Sequence, residues 1–206
     1  MSDVKLNAIA AMCDQNKGIG IKNQLPWSIS EDAEYFLKVV KTTANKSKIN
    51  AVIIGTNTWK SIPVQERPIS PCLNVIISSK ETNESLEYSQ SADPKKILIS
   101  RSINEAMIII REKYSNTVES IYAIGGTRIY KEAMDSKFFN RFYLTRIFGS
   151  FNCDTFIEPK NFLDGFKKVD TSNLEKEEKM FNVTLNMLKS DPITGVSYIF
   201  EVYEKI

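Results

Sequence analysis

Histidine is missing from the 206-residue chain. That excludes Ser-His-Asp triads, Cys-His pairs and histidine-ligated metals, and no metal site is expected. Any acid–base step must use a carboxylate, lysine, tyrosine, cysteine or water. Cysteine is scarce, with only Cys13, Cys72 and Cys153. An odd count at wide spacing, without a CxxC pair, reads as reduced thiols in an intracellular protein, and a cytoplasmic location is the expectation. No apolar run approaches the ~20 residues that span a bilayer, so no membrane partner is expected. Met1-Ser2-Asp3-Val4-Lys5 lacks a basic region followed by an apolar stretch, so no secretory signal is expected either. Strong net charge is also lacking: the formal value is +2, which argues against nucleic acid as a partner. A small anionic ligand needs only a few local cations and stays open.

What is present is ordinary globular composition, 42% hydrophobic and 25% charged. At this length a continuous core forms without metal or disulfide staples. With no repeat, low-complexity segment or long linker, one domain over residues 1–206 is the simplest organisation. Nothing demands more than a monomer.

Hydrophobic periodicity places strands at Val4–Ala11, Asn50–Gly55, Leu73–Ser79, Ile97–Ser100, Ser120–Ile124 and Arg141–Phe148. Helices fall between them. Ser30-Glu31-Asp32 opens one with a capping serine and two acids in its first turn. Thr58 to Ile62 is a short helix stopped by Pro63. Ser102 caps a helix reaching Tyr114, with Glu105 at the capping-box position. A fourth runs near Thr127 to Met134. The tail ends in an alternating strand, Ser197 to Tyr203, with a hairpin partner expected around Phe181 to Leu188 and an extended loop within Asp170 to Gly195. Strands alternating with helices and then dominating predict an α/β fold: a mainly parallel central sheet flanked by helices, with an antiparallel C-terminal edge hairpin.

Gly18-Ile19-Gly20 fails the dinucleotide fingerprint, because Asn23 stands where the third small residue belongs and no helix follows. Gly125-Gly126 is better placed, between an apolar strand and a helix whose free N–H groups attract phosphate. Gly55-Thr56-Asn57-Thr58 repeats that arrangement. Two such turns suit a dinucleotide. Asp32 alone reads as a helix-terminal acid on a surface. With Tyr35 and Phe36 one turn on, it could instead border an apolar pocket and bind an amidine-like edge of a heterocycle. Burial would raise its pKa and the helix terminus would oppose that rise.

Together these segments resemble dihydrofolate reductase over nearly the whole chain. They are Ile9-Ala10-Ala11, Gly18-Ile19-Gly20, Leu25-Pro26-Trp27, Asp32 with Tyr35-Phe36, Ile54-Gly55, Thr58-Trp59, Ser61-Ile62-Pro63 and Arg67-Pro68. Ile124-Gly125-Gly126, Ile129-Tyr130, Thr145, Asp154-Thr155-Phe156 and Phe200-Glu201-Val202-Tyr203-Glu204-Lys205 follow in order. The Trp27-to-Asp32 spacing and the aspartate are similar to bacterial members, the ending to animal ones. The resemblance implies reduction of 7,8-dihydrofolate by NADPH, with hydride passing to pteridine C6 and a proton to N5. It implies Asp32, Trp27 and Thr145 as the catalytic set. Ile9, Ala10, Asp32, Phe36, Ile62, Ile69, Ile124 and Tyr130 would meet substrate. Ala11, Ile19, Gly20, Gly55, Thr56, Asn57, Thr58, Gly125, Gly126, Thr127, Arg128 and Ile129 would meet the cofactor, with Ser78, Ser79 and Arg101 near its ribose phosphate.

The chain departs from the family twice. Cys72 stands where an arginine grips the α-carboxylate of the folate glutamate, leaving Arg67 or Lys60 as substitutes. Thr56-Asn57 follows Gly55, where Arg or Lys usually contacts cofactor phosphate. Three readings result: a folate reductase with weaker tail recognition, a reductase of a pteridine or pyrimidine lacking that tail, or a non-catalytic folate- or NADPH-binding protein. The intact Asp32, Trp27 and Thr145 disfavour the third.

Overall fold

The computed structural model describes residues 4–82 and 85–206. Its main sheet is built from β1 (Lys5–Cys13), β3 (Ile49–Gly55), β4 (Leu73–Ile77), β5 (Ile97–Ser100), β6 (Val118–Ala123), β7 (Phe139–Phe148), β9 (Phe166–Lys168), β10 (Lys189–Ser190) and β11 (Ser197–Lys205). The order is β10-β11-β7-β1-β6-β3-β4-β5, with β9 also on β11. From β7 to β5 every pairing is parallel, and β11 runs antiparallel to β7. Central parallel strands are covered on both faces, which is why β3 and β4 read as unbroken apolar runs. The α/β class and the antiparallel edge match the sequence reading.

The pleat sorts β1 between two layers. Leu6, Ala8, Ala10 and Met12 join the core under α3 (Ile103–Lys113) and α4 (Thr127–Asp135). Ile9 and Cys13 join the opposite core, with α1 (Ser30–Lys41), Trp59 of α2 (Thr56–Ser61) and Phe181 of α5 (Glu175–Phe181).

Several local expectations are corrected. Ser30 is the first residue of α1, not its cap; Ile29 takes that place and offers no side-chain oxygen. The strand at 73 stops at Ile77, and α2 begins two residues earlier than expected. Ser102 Oγ does accept the Glu105 N–H at 3.2 Å. The Glu105 carboxylate, however, takes the Arg101 N–H (2.6 Å) and the Ser100 hydroxyl (2.9 Å), so the capping box is displaced by one residue.

The largest correction concerns the tail. Residues 181–188 form no strand. The helix α5 ends at Asn182, whose φ of 50° is the left-handed cap that stops helices. Strand β11 instead pairs with β7 from Ser197↔Phe148 to Glu204↔Arg141. Its outer edge is shared by β9 and β10, and β10 makes a tight hairpin with it through Lys189↔Tyr198.

Asn74 fixes the turn between α2 and β4. It is fully buried; Oδ1 accepts the Ile69 N–H at 2.9 Å, and Nδ2 donates to Ile69 O (3.0 Å) and Cys72 O (2.9 Å). An Asn74→Leu variant takes the side-chain partner from Ile69 N–H and Cys72 O, at roughly 1–3 kcal/mol each before relaxation, while Ile69 O keeps the Cys72 N–H at 3.0 Å. Urea denaturation should show a loss of about 2–5 kcal/mol; an unchanged midpoint would contradict this.

Candidate active site

The site forms where the parallel strands end. Strand β3 runs into Gly55, β6 into Ile124-Gly125-Gly126, and β1 into the segment after Cys13. Carboxyl ends of parallel strands are where ligands enter such sheets. Gly55 N–H donates to Gly125 O at 2.8 Å, which joins the two glycine turns.

A cavity of about 560 Å³ opens over these turns. Ala11, Ile19, Gly20, Gly55, Thr56, Asn57, Thr58, Gly125, Gly126, Thr127, Arg128 and Ile129 line it, as expected for the cofactor, and so do Ile124 and Tyr130. Ser78, Ser79 and Arg101 do not. They lie beyond it at the ends of β4 and β5, where Ser78 N–H donates to Ser100 O at 2.9 Å. The Ser78 hydroxyl is already engaged, accepting the Lys80 and Glu81 N–H groups.

The glycines are needed for close approach. Gly125 has φ +120°, and a Cβ there would meet Tyr130 Oη at 3.3 Å and Thr58 Oγ1 at 3.5 Å. Gly126 is the cap of α4 without any side-chain cap bond, so the first N–H groups of that helix stay free for an anion.

Asn23, Gln24, Leu25, Ser61, Ile77 and Thr155 also line the cavity, and sequence reasoning gave them no role. Ser61 follows one helical turn after Thr58, a legible signal. The 23–25 loop arrives through a second small sheet, β2 (Gly18–Gly20) on β8 (Thr155–Phe156). Asp154 N–H donates to Gly20 O (3.0 Å), and Asp154 Oδ2 accepts the Lys22 N–H (2.8 Å). A Cβ at Gly18 would overlap the Cys153 side chain, so glycine is required for this loop to lie down.

Asp32 lies in the first turn of α1 and is 7% exposed. Burial lifts its carboxyl from 3.8 to about 6; the Thr145 hydroxyl and the Trp27 indole oppose that rise. Trp27 Nε1 is buried and completes no hydrogen bond within the protein. Thr145 is held by pairing with Ala11 of β1 on one side and Phe200 of β11 on the other. The sheet thus brings together the three polar residues expected from the sequence.

The raised value has a stability cost. Between about pH 4 and 6 the folded chain binds more protons than the unfolded chain, so stability falls as pH rises through that window and levels off above it. Asp32→Asn should therefore be more stable than the parent at pH 7, by about 3 kcal/mol. Denaturant titrations at pH 4 and 7 check this; the gain should shrink toward zero at pH 4.

Of the residues expected around substrate, Ile9, Ile69 and Asp32 are buried, and Phe36 and Ile62 are half-buried against the same core. Ala10 is corrected: its side chain faces the α3–α4 layer, so only its backbone is on offer. Tyr130 donates its hydroxyl to Ile9 O at 2.9 Å, bridging the cavity wall to β1. Tyr35 does not border a pocket; it is buried and stacked on Phe200, with centroids 4.1 Å apart.

Comparison with known proteins decides the family. A sequence profile described as dihydrofolate reductase matches residues 5–190. The chain belongs to the dihydrofolate reductase family. It is 32% identical over 206 residues to the dihydrofolate reductase of Heliothis virescens, covering 100% of both chains. To that of Gallus gallus it is 31% identical over 204 residues, 97% of this chain and 96% of the relative. The solved Schistosoma mansoni dihydrofolate reductase superposes with a TM-score of 0.73 at 30% identity, covering 98% of this chain and 99% of that one.

In this dihydrofolate reductase family member Cys72 and the cations expected near it, Lys60 and Arg67, are all engaged or buried. Cys72 is fully buried, its Sγ donates to Val40 O at 3.3 Å, and burial pushes the thiol up to about 11, so it stays neutral. Lys60 is engaged with Glu81 at 2.7 Å. Arg67 is buried, its guanidinium 5.5 Å from the Trp59 ring centroid.

Proposed function

We propose that this member of the dihydrofolate reductase family reduces 7,8-dihydrofolate to 5,6,7,8-tetrahydrofolate with NADPH, and that Asp32 holds the pteridine. The observation that carries the reading is the buried Asp32 carboxyl, influenced by Thr145 and Trp27 and facing Tyr130, which lines the glycine-walled cavity. The residues fit the cofactor: Gly55, Gly125 and Gly126 line the cavity without side chains, and α4 presents uncapped N–H groups. Bound there, NADPH supplies a hydride for pteridine C6. Thr56, Asn57, Thr58, Thr127 and Arg128 would hold its phosphates, and Arg101 with Ser79, beyond the cavity, would meet the adenosine end.

Ionised above pH 6, Asp32 accepts hydrogen bonds from pteridine N3–H and the 2-amino group. Thr145 steadies the carboxylate. The Trp27 indole N–H, buried and without a protein acceptor, orders a water beside it. The proton for N5 comes from water admitted past the 14–25 loop, with Asp32 polarising the ring. Ile9, Phe36, Ile62, Ile69 and Ile124 exclude bulk water from the reacting face.

A second reading, a reductase of a tail-less pteridine, is favoured by the neutral, inward-turned Cys72. Loss of NADPH absorbance, followed with dihydrofolate and with a tail-less dihydropterin, tests both. Turnover of dihydrofolate at the lower KM supports the first. Equal kcat/KM on the two substrates supports the second, and no oxidation with either removes both.

A further inference from the structure

We infer that Lys189 and Tyr198, on the C-terminal hairpin, are positioning residues for Asp32 and act through its neighbour Glu31. This rests on the role proposed above for Asp32. The start of α1 has no side-chain cap, because Ile29 occupies that position. A helix terminus without a cap frays, yet the acid in its first turn must hold one geometry. Glu31 supplies the missing anchor. Its Oε1 accepts from Lys189 Nζ and its Oε2 accepts from Tyr198 Oη.

The hairpin is built to hold that grip. Lys189 and Tyr198 are register partners in the β10–β11 pair. The connecting turn is closed by Asp191, which accepts from Thr194 N–H (2.7 Å) and Ile193 N–H (3.2 Å), with Gly195 at φ +70°. Tyr198 is 1% exposed, so its hydroxyl has little freedom to turn away. A second contact locks the same helical turn. Phe200, opposite Thr145 in the sheet, stacks on Tyr35 with an interplanar angle of 27°. Lys189 also lies 5.1 Å above the Phe200 ring. One strand therefore fixes Glu31, Tyr35 and Thr145 together, and Asp32 sits among them.

Charge strengthens the case. Glu31 is a second carboxylate next to Asp32, and unneutralised it would oppose ionisation of the acid. Lys189 offsets it, with Lys38 of α1 assisting; Lys38 also pairs with Glu34 at 3.8 Å. The other groups facing this turn are the Tyr35, Tyr130 and Tyr198 hydroxyls around Asp32, and Asp191, which faces Tyr198.

The test uses the full chain with Lys189→Met, Lys189→Arg, Tyr198→Phe and Asp32→Asn. Steady-state kinetics are measured with dihydrofolate and NADPH from pH 5 to 9. Lys189→Met should lower kcat about tenfold, since small misplacement of a reacting group is costly. The KM for NADPH should not change, and the acidic limb of the kcat/KM profile should move to higher pH. Lys189→Arg should restore both. Tyr198→Phe removes one bond and keeps the charge, so it should lower kcat without moving the limb. A folded Lys189→Met with parental kcat and profile overturns the inference. So does a loss of melting temperature alone, or a kcat loss that Lys189→Arg does not rescue. Should Lys189→Met not fold, parental kcat in Tyr198→Phe overturns it instead. Full turnover in Asp32→Asn would sink the role of Asp32 itself, whereas an inactive Asp32→Asn beside an unaffected Lys189→Met sinks only the positioning role.

Discussion

Asp32→Asn is expected to bind NADPH as tightly as the parent chain and to reduce dihydrofolate about 10²–10⁴-fold more slowly near neutral pH. The substitution keeps size and shape but removes the anion. An amide cannot accept from both N3–H and the 2-amino group at once; one of its two atoms is a donor. The pteridine would lose a charge-assisted pair and the polarisation that makes N5 basic. The cofactor cavity is lined by other residues, so the NADPH dissociation constant should not move. Single-turnover hydride transfer at saturating NADPH separates the two effects. A rate within threefold of the parent at pH 7 would remove Asp32 from its assigned role. Combined with the higher stability argued above for the same variant, the expected pattern is a chain made sturdier and nearly inactive by one atom exchange.

Gly125→Ala should weaken NADPH binding by about 10- to 100-fold while leaving the fold intact. Gly125 has φ +120°, which L-residues avoid. Holding alanine there costs roughly 1–3 kcal/mol, and about 1.4 kcal/mol is a factor of ten in affinity. The new methyl would also press on Tyr130 Oη at 3.3 Å. Either the turn moves away from the cavity, or Tyr130 loosens its bond to Ile9 O. Fluorescence titration with NADPH reads the affinity directly. An unaltered dissociation constant would show that the cofactor does not lie along this turn.

The central sheet could be read from the sequence because its strands are covered on both sides and carry uninterrupted apolar runs; Ile97–Ser100 was placed to the residue. The two glycine turns were legible for a similar reason: glycine directly after a buried strand has few structural alternatives. Other parts were not legible. The 175–190 region depends on Asn182 and Asn186 adopting left-handed backbone, which polar composition does not reveal. The α1 terminus shows a serine that could cap and does not, because the helix begins one residue earlier than its polar pattern suggests. The family resemblance implies a substrate contact for Ala10, but the period of two along β1 sends its side chain to the other face from Ile9. Cys72 shows the limit most clearly: its identity signals a missing cation, but only packing reveals that the thiol turns inward to Val40.

The hydrogen bond from Gly55 to Gly125 has a consequence for how the chain breathes. It ties together the exits of β3 and β6, which are neighbours in the middle of the sheet. A ligand gripping either turn grips both, and its binding energy reaches strands it never touches. Amide hydrogen exchange should accordingly slow along β3 and β6 when cofactor is added, not only in the loops, because opening those strands would first require releasing the ligand.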